Sequence, residues 1–403
     1  MFLKKWGPTP RYALIQGLYW AIYCLMVGFA SVFLLDHGFT NAQIGLILGL
    51  SYLLSAILQP VVGSVFSRRN IRLNIGIACA YIPVAILSLI VVTVPLGRIS
   101  LAVMLVTMFT VQSMMQPSVN ALYQCYESDG RQVNFGLARG IGSAAYALAS
   151  FAMGRLLARL SPSLLPGIYG AFAAAMIVVL LCEKTTAGGN RTNLGRRSAS
   201  YADILRSYPS LALFLAGIGC MFLTYSFIDN FLVQIILSIG GNSGDLGTAI
   251  TLSAMTELPA MAIFARFSRK GKGIPLYLIS IWFWLAKDLL TLLAPNPQIL
   301  FAVQLLNFAS CAVFVPGMMD YMRHVLPESQ LLRGVTLAGT VTTLGSLLAT
   351  ILGGWLIDSI GVRHALMTAE FFAVCGTALL TVALGRVIRQ KKIIAGSGDG
   401  HHA

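Results

Sequence analysis

Long, unbroken apolar runs separated by short polar turns dominate the chain. Lipid offers backbone N–H and C=O groups no partner, so a run of about 20 apolar residues reads as a membrane-spanning helix. Twelve such runs are expected, at 12–35, 42–66, 73–95, 99–125, 133–160, 165–182, 209–238, 246–265, 274–294, 298–322, 334–359 and 365–385. Their continuity, with no period of two, argues against an outer-membrane barrel.

The longest polar interruption runs from Glu183 to Ser207 and contains Gly188, Gly189, Arg196 and Arg197. It divides the chain into an N-terminal six-helix bundle (1–182), a cytoplasmic linker (183–207), a C-terminal six-helix bundle (208–386) and a cytoplasmic tail (387–403). A faint internal repeat supports two halves. Phe66-Ser67-Arg68-Arg69 returns as Phe267-Ser268-Arg269-Lys270, 201 positions later, and Gly154-Arg155-Leu156-Leu157 as Gly354-Trp355-Leu356-Ile357, 200 positions later. The shared offset carries more weight than either match. Parallel repeats with a solute site at their interface are the architecture of rocking secondary transporters.

Composition agrees: of 403 residues 57% are hydrophobic and 10% charged, against roughly 25% charged in a soluble domain. The net charge of +14 follows from topology. Of 28 Lys and Arg, only Arg98, Arg155, Arg159 and Arg363 fall in turns on the outer side when the N-terminus is inside. This bias places both termini in the cytoplasm of an inner-membrane protein. It also explains the basic character without nucleic acid, through the anionic inner leaflet. The first run acts as its own insertion signal. The seven Cys stand singly, and the five His lie at helix ends, in turns or in the tail, so neither a metal site nor a membrane-embedded His base is expected. No phosphate-binding G-x-x-x-x-G-K-[ST] loop occurs. The chain is expected to work as a monomer in lipid, without cofactor or enzymatic activity.

Chemistry should lie where charge interrupts the apolar runs, at Arg139, Asp229, Glu257, Lys287 and Asp288. Each costs roughly 2.5–3.5 kcal/mol at the midplane and therefore meets a partner or a watered cavity. Gln112, Gln116, Asn120 and Gln124 repeat every fourth residue on one helical face, either bonding another helix or walling a hydrophilic cavity. Pro117 within that stripe should bend its helix. Arg139 either snorkels to cytoplasmic headgroups or faces solute. Tyr19, Trp20 and Tyr23, with Gln16, either pack helices or add an aromatic cavity surface. Asp320 is either a gate residue or an interfacial cap. Lys287 is the cation deep enough to answer Asp229, Glu257 or Asp288. One cation cannot neutralise three carboxylates, so at least one acid carries a proton in some state.

The stretch Asn134-Phe135-Gly136-Leu137-Ala138-Arg139-Gly140, followed by Tyr146, resembles the helix-five motif of the oligosaccharide:proton symporter (lactose permease-like) branch of the major facilitator superfamily. Met255-Thr256-Glu257-Leu258 is similar to that branch's helix-eight Gly-Glu-Leu, and Asp229 and Lys287 fall at its helix-seven Asp and helix-nine Arg. The resemblance spans the chain. It implies an all-α membrane protein of twelve transmembrane helices in two pseudo-symmetric six-helix bundles. It further implies that Arg139 binds hydroxyls, that Tyr146 stacks on a ring, and that Glu257, Asp229 and Lys287 couple the solute to a proton. The chain departs from the branch where Asn307 and Ser310 replace its helix-ten His and Glu, where Ala121 replaces its helix-four Glu, and where Gly63 to Arg69 lacks the superfamily's loop Asp.

Together these readings describe a proton-coupled symporter importing a sugar, glycoside or nucleoside. Its expected solute-binding residues are Arg139, Tyr146, Gln112, Gln116, Asn120 and Asn307, and its proton-coupling residues are Glu257, Asp229, Lys287 and Asp288. The alternative is a proton-coupled exporter of drugs or metabolites.

Overall fold

A computed structural model describes residues 6–183 and 201–398, so most of the expected linker and the end of the tail lie outside the described residues. The described chain is helical. The spans are α1 (Pro8–Tyr23, continued by Cys24–Gly28 and Ala30–Asp36), α2 (Asn41–Arg68), α3 (Leu73–Thr93), α4 (Arg98–Met114 and Gln116–Ser128), α5 (Phe135–Leu157) and α6 (Leu165–Cys182). They continue with α7 (Pro209–Asn230 and Leu232–Ser238), α8 (Ser243–Ser268), α9 (Gly273–Leu293) and α10 (Pro297–Leu305 and Phe314–Val325). The last two spans, α11 and α12, fill Glu328–Gly398 and meet at a kink. Gly361, at φ 81° and ψ 161°, separates α11 (328–360) from α12 (361–398). Only glycine adopts that conformation without strain.

These are the twelve expected spans. Among the described residues nine helices are individually long and apolar enough to cross a membrane, or ten with the bent α1. The other two are accounted for by α11 and α12, which follow each other directly across the kink at Gly361 and count once, and by α5, whose glycines, serines and arginines lower its hydropathy. Most boundaries agree to within a few residues; α11, however, starts at Glu328 rather than 334, and α12 runs far past 385.

Local chemistry sets the ends and the breaks. Thr40 and Gln43 close a reciprocal capping box, with Gln43 N donating to Thr40 Oγ1 at 3.3 Å and Thr40 N to Gln43 Oε1 at 3.1 Å, so α2 starts at a defined residue. Asn134 Oδ1 accepts from Leu137 N at 2.9 Å and starts α5 in the same way. α4 is interrupted at Met115, where Pro117 removes a backbone donor. α1 passes through a π-helical turn at Cys24–Gly28 and bends by 41°.

Contacts divide the described chain into two compact units, one of 6–183, Asn230–Met255 and Thr350–Ser359, the other of 201–229, 256–349 and 360–398. In the first, Asn74 Nδ2 ties α3 to the end of α6 by donating to Leu180 O at 3.0 Å and Glu183 O at 2.8 Å. In the second, Phe214 and Tyr321 stack at 4.0 Å, and Trp284 meets the rings of Phe222, Tyr225 and Phe314. Lipid is as apolar as these side chains, so close packing and polar contacts, rather than water exclusion, hold the helices together. The exposed Leu, Ile and Val of α2, α3, α5 and α6 are then the lipid-facing surface.

Close packing explains the small residues where α7 crosses α12. A Cβ at Gly217 would lie 2.7 Å from Leu380 Cγ, and one at Gly376 would lie 2.9 Å from Gly217 O. Gly217→Leu is expected to cost about 2–3 kcal/mol, read as a lowered Tm of the detergent-purified protein.

Candidate functional site

In the first unit the chemistry gathers where α1, α4 and α5 meet. Arg139 lies one turn into α5, with its guanidinium carbon 3.9 Å from the centre of the Trp20 ring and its Nη1 donating to Ser143 Oγ at 2.9 Å. A guanidinium over an indole face is a favourable cation–π pair. Tyr146, two turns along α5, meets Trp20 edge-on at 6.4 Å, and Tyr23 meets it at 5.4 Å. Trp20 Nε1 donates to Gln16 Oε1 at 3.1 Å, and Gln16 Nε2 donates to Tyr12 OH at 2.6 Å and to Asn120 Oδ1 at 3.2 Å. Arg139, Tyr146 and Asn120, expected from sequence to work together, are therefore joined through Trp20 and Gln16. Each of the three is only half-buried, so part of each remains open.

The amide stripe is split in its use. Gln112 is fully buried; its Oε1 accepts from Tyr81 OH at 2.7 Å and its Nε2 donates to Tyr19 O at 3.2 Å. Both ends are committed to holding α1, α3 and α4 together, which is the helix-bonding role weighed above. Gln116 and Asn120, past the break at Met115, are half-buried.

In the second unit charges from α7 to α10 converge. Lys287 and Asp288 on α9 are buried, at 7% and 2% exposure, whereas Asp229 on α7 is exposed and Glu257 on α8 is half-buried. Lys287 acts electrostatically on both Asp229 and Asp288. Cys311 on α10 lies within electrostatic reach of Lys287, Glu257, Asp288 and Asp229. Among the described residues Lys287 Nζ closes no ion pair with Asp229 or Asp288; it donates to Asn307 Oδ1 at 3.5 Å.

Asn307 and Cys311 occupy an irregular stretch of α10. Two 3-10 turns, Leu306–Ala309 and Cys311–Val313, flank Ser310 at φ −117° and ψ −109°. Non-helical backbone at membrane depth is tolerated only when buried in protein or lining a cavity, and broken helices commonly line transporter sites. The sequence signal nearest this break is Pro316, whose ring and missing N–H act on the carbonyl of Ala312.

Two further functional candidates escaped the reading of the sequence. Glu370 on α12 is 4% exposed and is the electrostatic neighbour of Asp288. It lies inside the expected run 365–385 and was passed over among the charges that interrupt such runs. Asp358 at the end of α11 accepts from Asn41 N (3.1 Å), Asn41 Nδ2 (2.8 Å) and Ala42 N (2.7 Å), within the first unit. No local pattern couples residues so far apart. Asp320, for its part, has a carboxylate oxygen where a Cβ at Gly273, the first residue of α9, would lie, so the start of that helix packs directly against it.

The MFS_1 like family matches residues 11–368. The uncharacterized transporter YwbF of Bacillus subtilis (strain 168) is 22% identical over 250 residues, which span 61% of this chain and 61% of YwbF. Among solved structures, a variant of the nucleoside transporter NupG superposes with a TM-score of 0.79 at 13% identity, over 93% of this chain and 98% of that one. A bacterial homolog to the human lysosomal transporter Spinster, inward-facing and occupied, superposes with a TM-score of 0.67 at 12% identity, over 93% of this chain and 95% of that one. At these identities the likeness is one of fold.

Proposed function

The chain belongs to the MFS_1 like family, whose fold it shares with membrane transporters, and from that premise we propose that it is a proton-coupled symporter importing a small polar solute by alternating access. The solute is a sugar, glycoside or nucleoside, the protein works as a monomer in the inner membrane, and both termini are cytoplasmic.

The observation that carries this reading is the charge inventory around Cys311. One ammonium, Lys287, stands among Asp229, Glu257 and Asp288 without closing an ion pair on Asp229 or Asp288 among the described residues. Uncompensated carboxylates at this depth are expensive, and protons are the smallest cations that remove the excess. A group that must be neutral in one state and charged in another is what proton coupling requires. On the first unit, the planar fork of Arg139 and the ring faces of Trp20 and Tyr146 suit hydroxyls and a flat or puckered ring. Such a surface favours polar cargo over lipophilic drugs. The shared fold with a nucleoside transporter makes a nucleoside the first solute to try.

The test is flux into proteoliposomes holding the purified protein, with labelled uridine and a labelled glycoside, under an imposed inward proton gradient. Gradient-driven accumulation, abolished by a protonophore, is the expected result. Glu257→Gln is expected to reduce it at least about tenfold, since one lost ionisable group removes the coupling. Undiminished accumulation in that variant removes Glu257 from the mechanism. Expulsion of solute under the same gradient would instead establish the exporter.

A further inference from the structure

Tyr12, Gln16 and Trp20 stand four residues apart on one face of α1, and the hydrogen bonds that join them to α4 all run one way. Trp20 Nε1, a donor only, gives its proton to Gln16 Oε1 at 3.1 Å. The other end of that amide is therefore its NH2 group, which donates to Tyr12 OH at 2.6 Å and to Asn120 Oδ1 at 3.2 Å. Tyr12 OH passes its own proton to the backbone carbonyls of Val119 at 3.3 Å and Asn120 at 3.1 Å, which accept only. With a one-way donor at one end and one-way acceptors at the other, the Gln16 amide has a single orientation. Tyr12 and Gln16 are both 0% exposed, so these partners are not exchanged for water.

Asn120 inherits that direction. Its Oδ1 is taken by Gln16, so the end of this half-buried side chain left to face water or solute is the NH2 group. Turning the amide over would set NH2 against NH2, losing a hydrogen bond and opposing two donors. Arg139, stacked on the same Trp20, offers donors and no acceptor. Both groups of this face whose hydrogen-bond sense is fixed are thus donors. The Gln116 amide and the hydroxyls of Tyr23 and Tyr146 serve either way.

We propose that Gln16 is a positioning residue that sets the selectivity of this face: it holds Asn120 with the NH2 group outward, so that the solute presents carbonyl or carboxylate oxygens there and not amino groups. This rests on the solute-binding reading of Arg139, Trp20 and Tyr146 above and narrows it. A carbonyl oxygen accepts from Asn120 or the guanidinium and has no hydrogen of its own to place. An exocyclic amino group at the same point meets a donor and leaves both hydrogens without an acceptor. Two kinds of solute carry the required oxygen, a nucleoside with an oxo base and a sugar or glycoside bearing a carboxylate.

Equilibrium binding to the purified full chain in lipid nanodiscs, at one pH and with no gradient, tests this independently of proton coupling. Three pairs of ligands differ in one polar group: uridine and cytidine, inosine and adenosine, methyl glucuronide and methyl glucoside. The oxo or carboxylate member of at least one pair is expected to bind at least about tenfold tighter. The nucleoside and glucuronide arms tell which source of the oxygen the site takes. Gln16→Met keeps the volume and removes the amide, which frees Asn120 to turn and should bring the ratio within about twofold. Gln16→Glu still accepts from Trp20 but no longer donates; it draws the Asn120 NH2 group to itself and should reverse the ratio for a nucleoside pair. A merely structural role for Gln16 would weaken both members of a pair alike and leave the ratio unchanged. Equal affinities within every pair in the wild type, or a ratio that survives both Gln16 variants, overturns the proposal while the solute reading stands. Binding of none of the six ligands sinks that reading and the proposal with it.

Discussion

Gly354→Leu is expected to abolish solute uptake, by about a hundredfold or more, in protein that still inserts and purifies. Position 354 sits against the carbonyl of Asn41 at the start of α2, and Gly45 reciprocally against the carbonyl of Thr350 on α11; a Cβ at either glycine would overlap backbone. Gly154 on α5 meets Gly247 on α8 as closely, at 2.7 Å from a Cβ to the facing Cα. Around these contacts, all inside the first unit, Ser31 Oγ donates to Asn230 O at 2.9 Å, Tyr52 OH to Asn230 Oδ1 at 3.0 Å, and Gln234 Nε2 to Asn41 Oδ1 at 3.0 Å. The Asp358 carboxylate adds to these contacts by accepting three donors at the start of α2, where the helix dipole also favours an anion.

Backbone does not rotate out of the way as a side chain does, so the clash from the introduced leucine parts these ends at a cost of about 3 kcal/mol. That biases a two-state equilibrium by about a hundredfold against the sealed form. In the proposed orientation, with both termini cytoplasmic, these are the outer ends, and the proposed cycle requires that they close. Two measurements check the result: uptake into proteoliposomes, and hydrogen exchange of the amides at 41–45, which should quicken at least about tenfold. Full uptake in the variant would remove these glycines from the cycle.

The second large effect is expected at Arg139. Arg139→Lys keeps the charge and should raise the half-saturating solute concentration at least about tenfold. Lysine has neither the planar fork that bonds two hydroxyls at once nor the flat face that stacks on Trp20. A residue that merely snorkels to headgroups would tolerate this exchange, because an ammonium reaches lipid phosphate equally well. The comparison therefore separates the two roles left open by the sequence. Trp20→Leu should weaken the same solute through loss of the ring face. Unchanged half-saturation in Arg139→Lys would assign Arg139 to the membrane surface.

The sequence by itself determined the number, order and rough ends of the spans, because lipid leaves a helix as the one way to satisfy the backbone of a long apolar run. It also marked Arg139, Asp229, Glu257, Lys287 and Asp288, since each interrupts such a run at a cost that selection must have a reason to bear. What residues so distant in the chain do together was decided by tertiary structure. Gln112 looks identical to Gln116 along the helix face, yet its amide is consumed by Tyr81 and the backbone of Tyr19. Pro316 points to a bend in α10, but that the backbone leaves the helix six residues earlier, at Ser310, is seen only in the folded chain. Asp358 finds its partner in Asn41, 317 positions away. Local patterns report how each helix partitions into lipid, while hydrogen bonds and fields between helices depend on which faces meet, and only the folded chain fixes that.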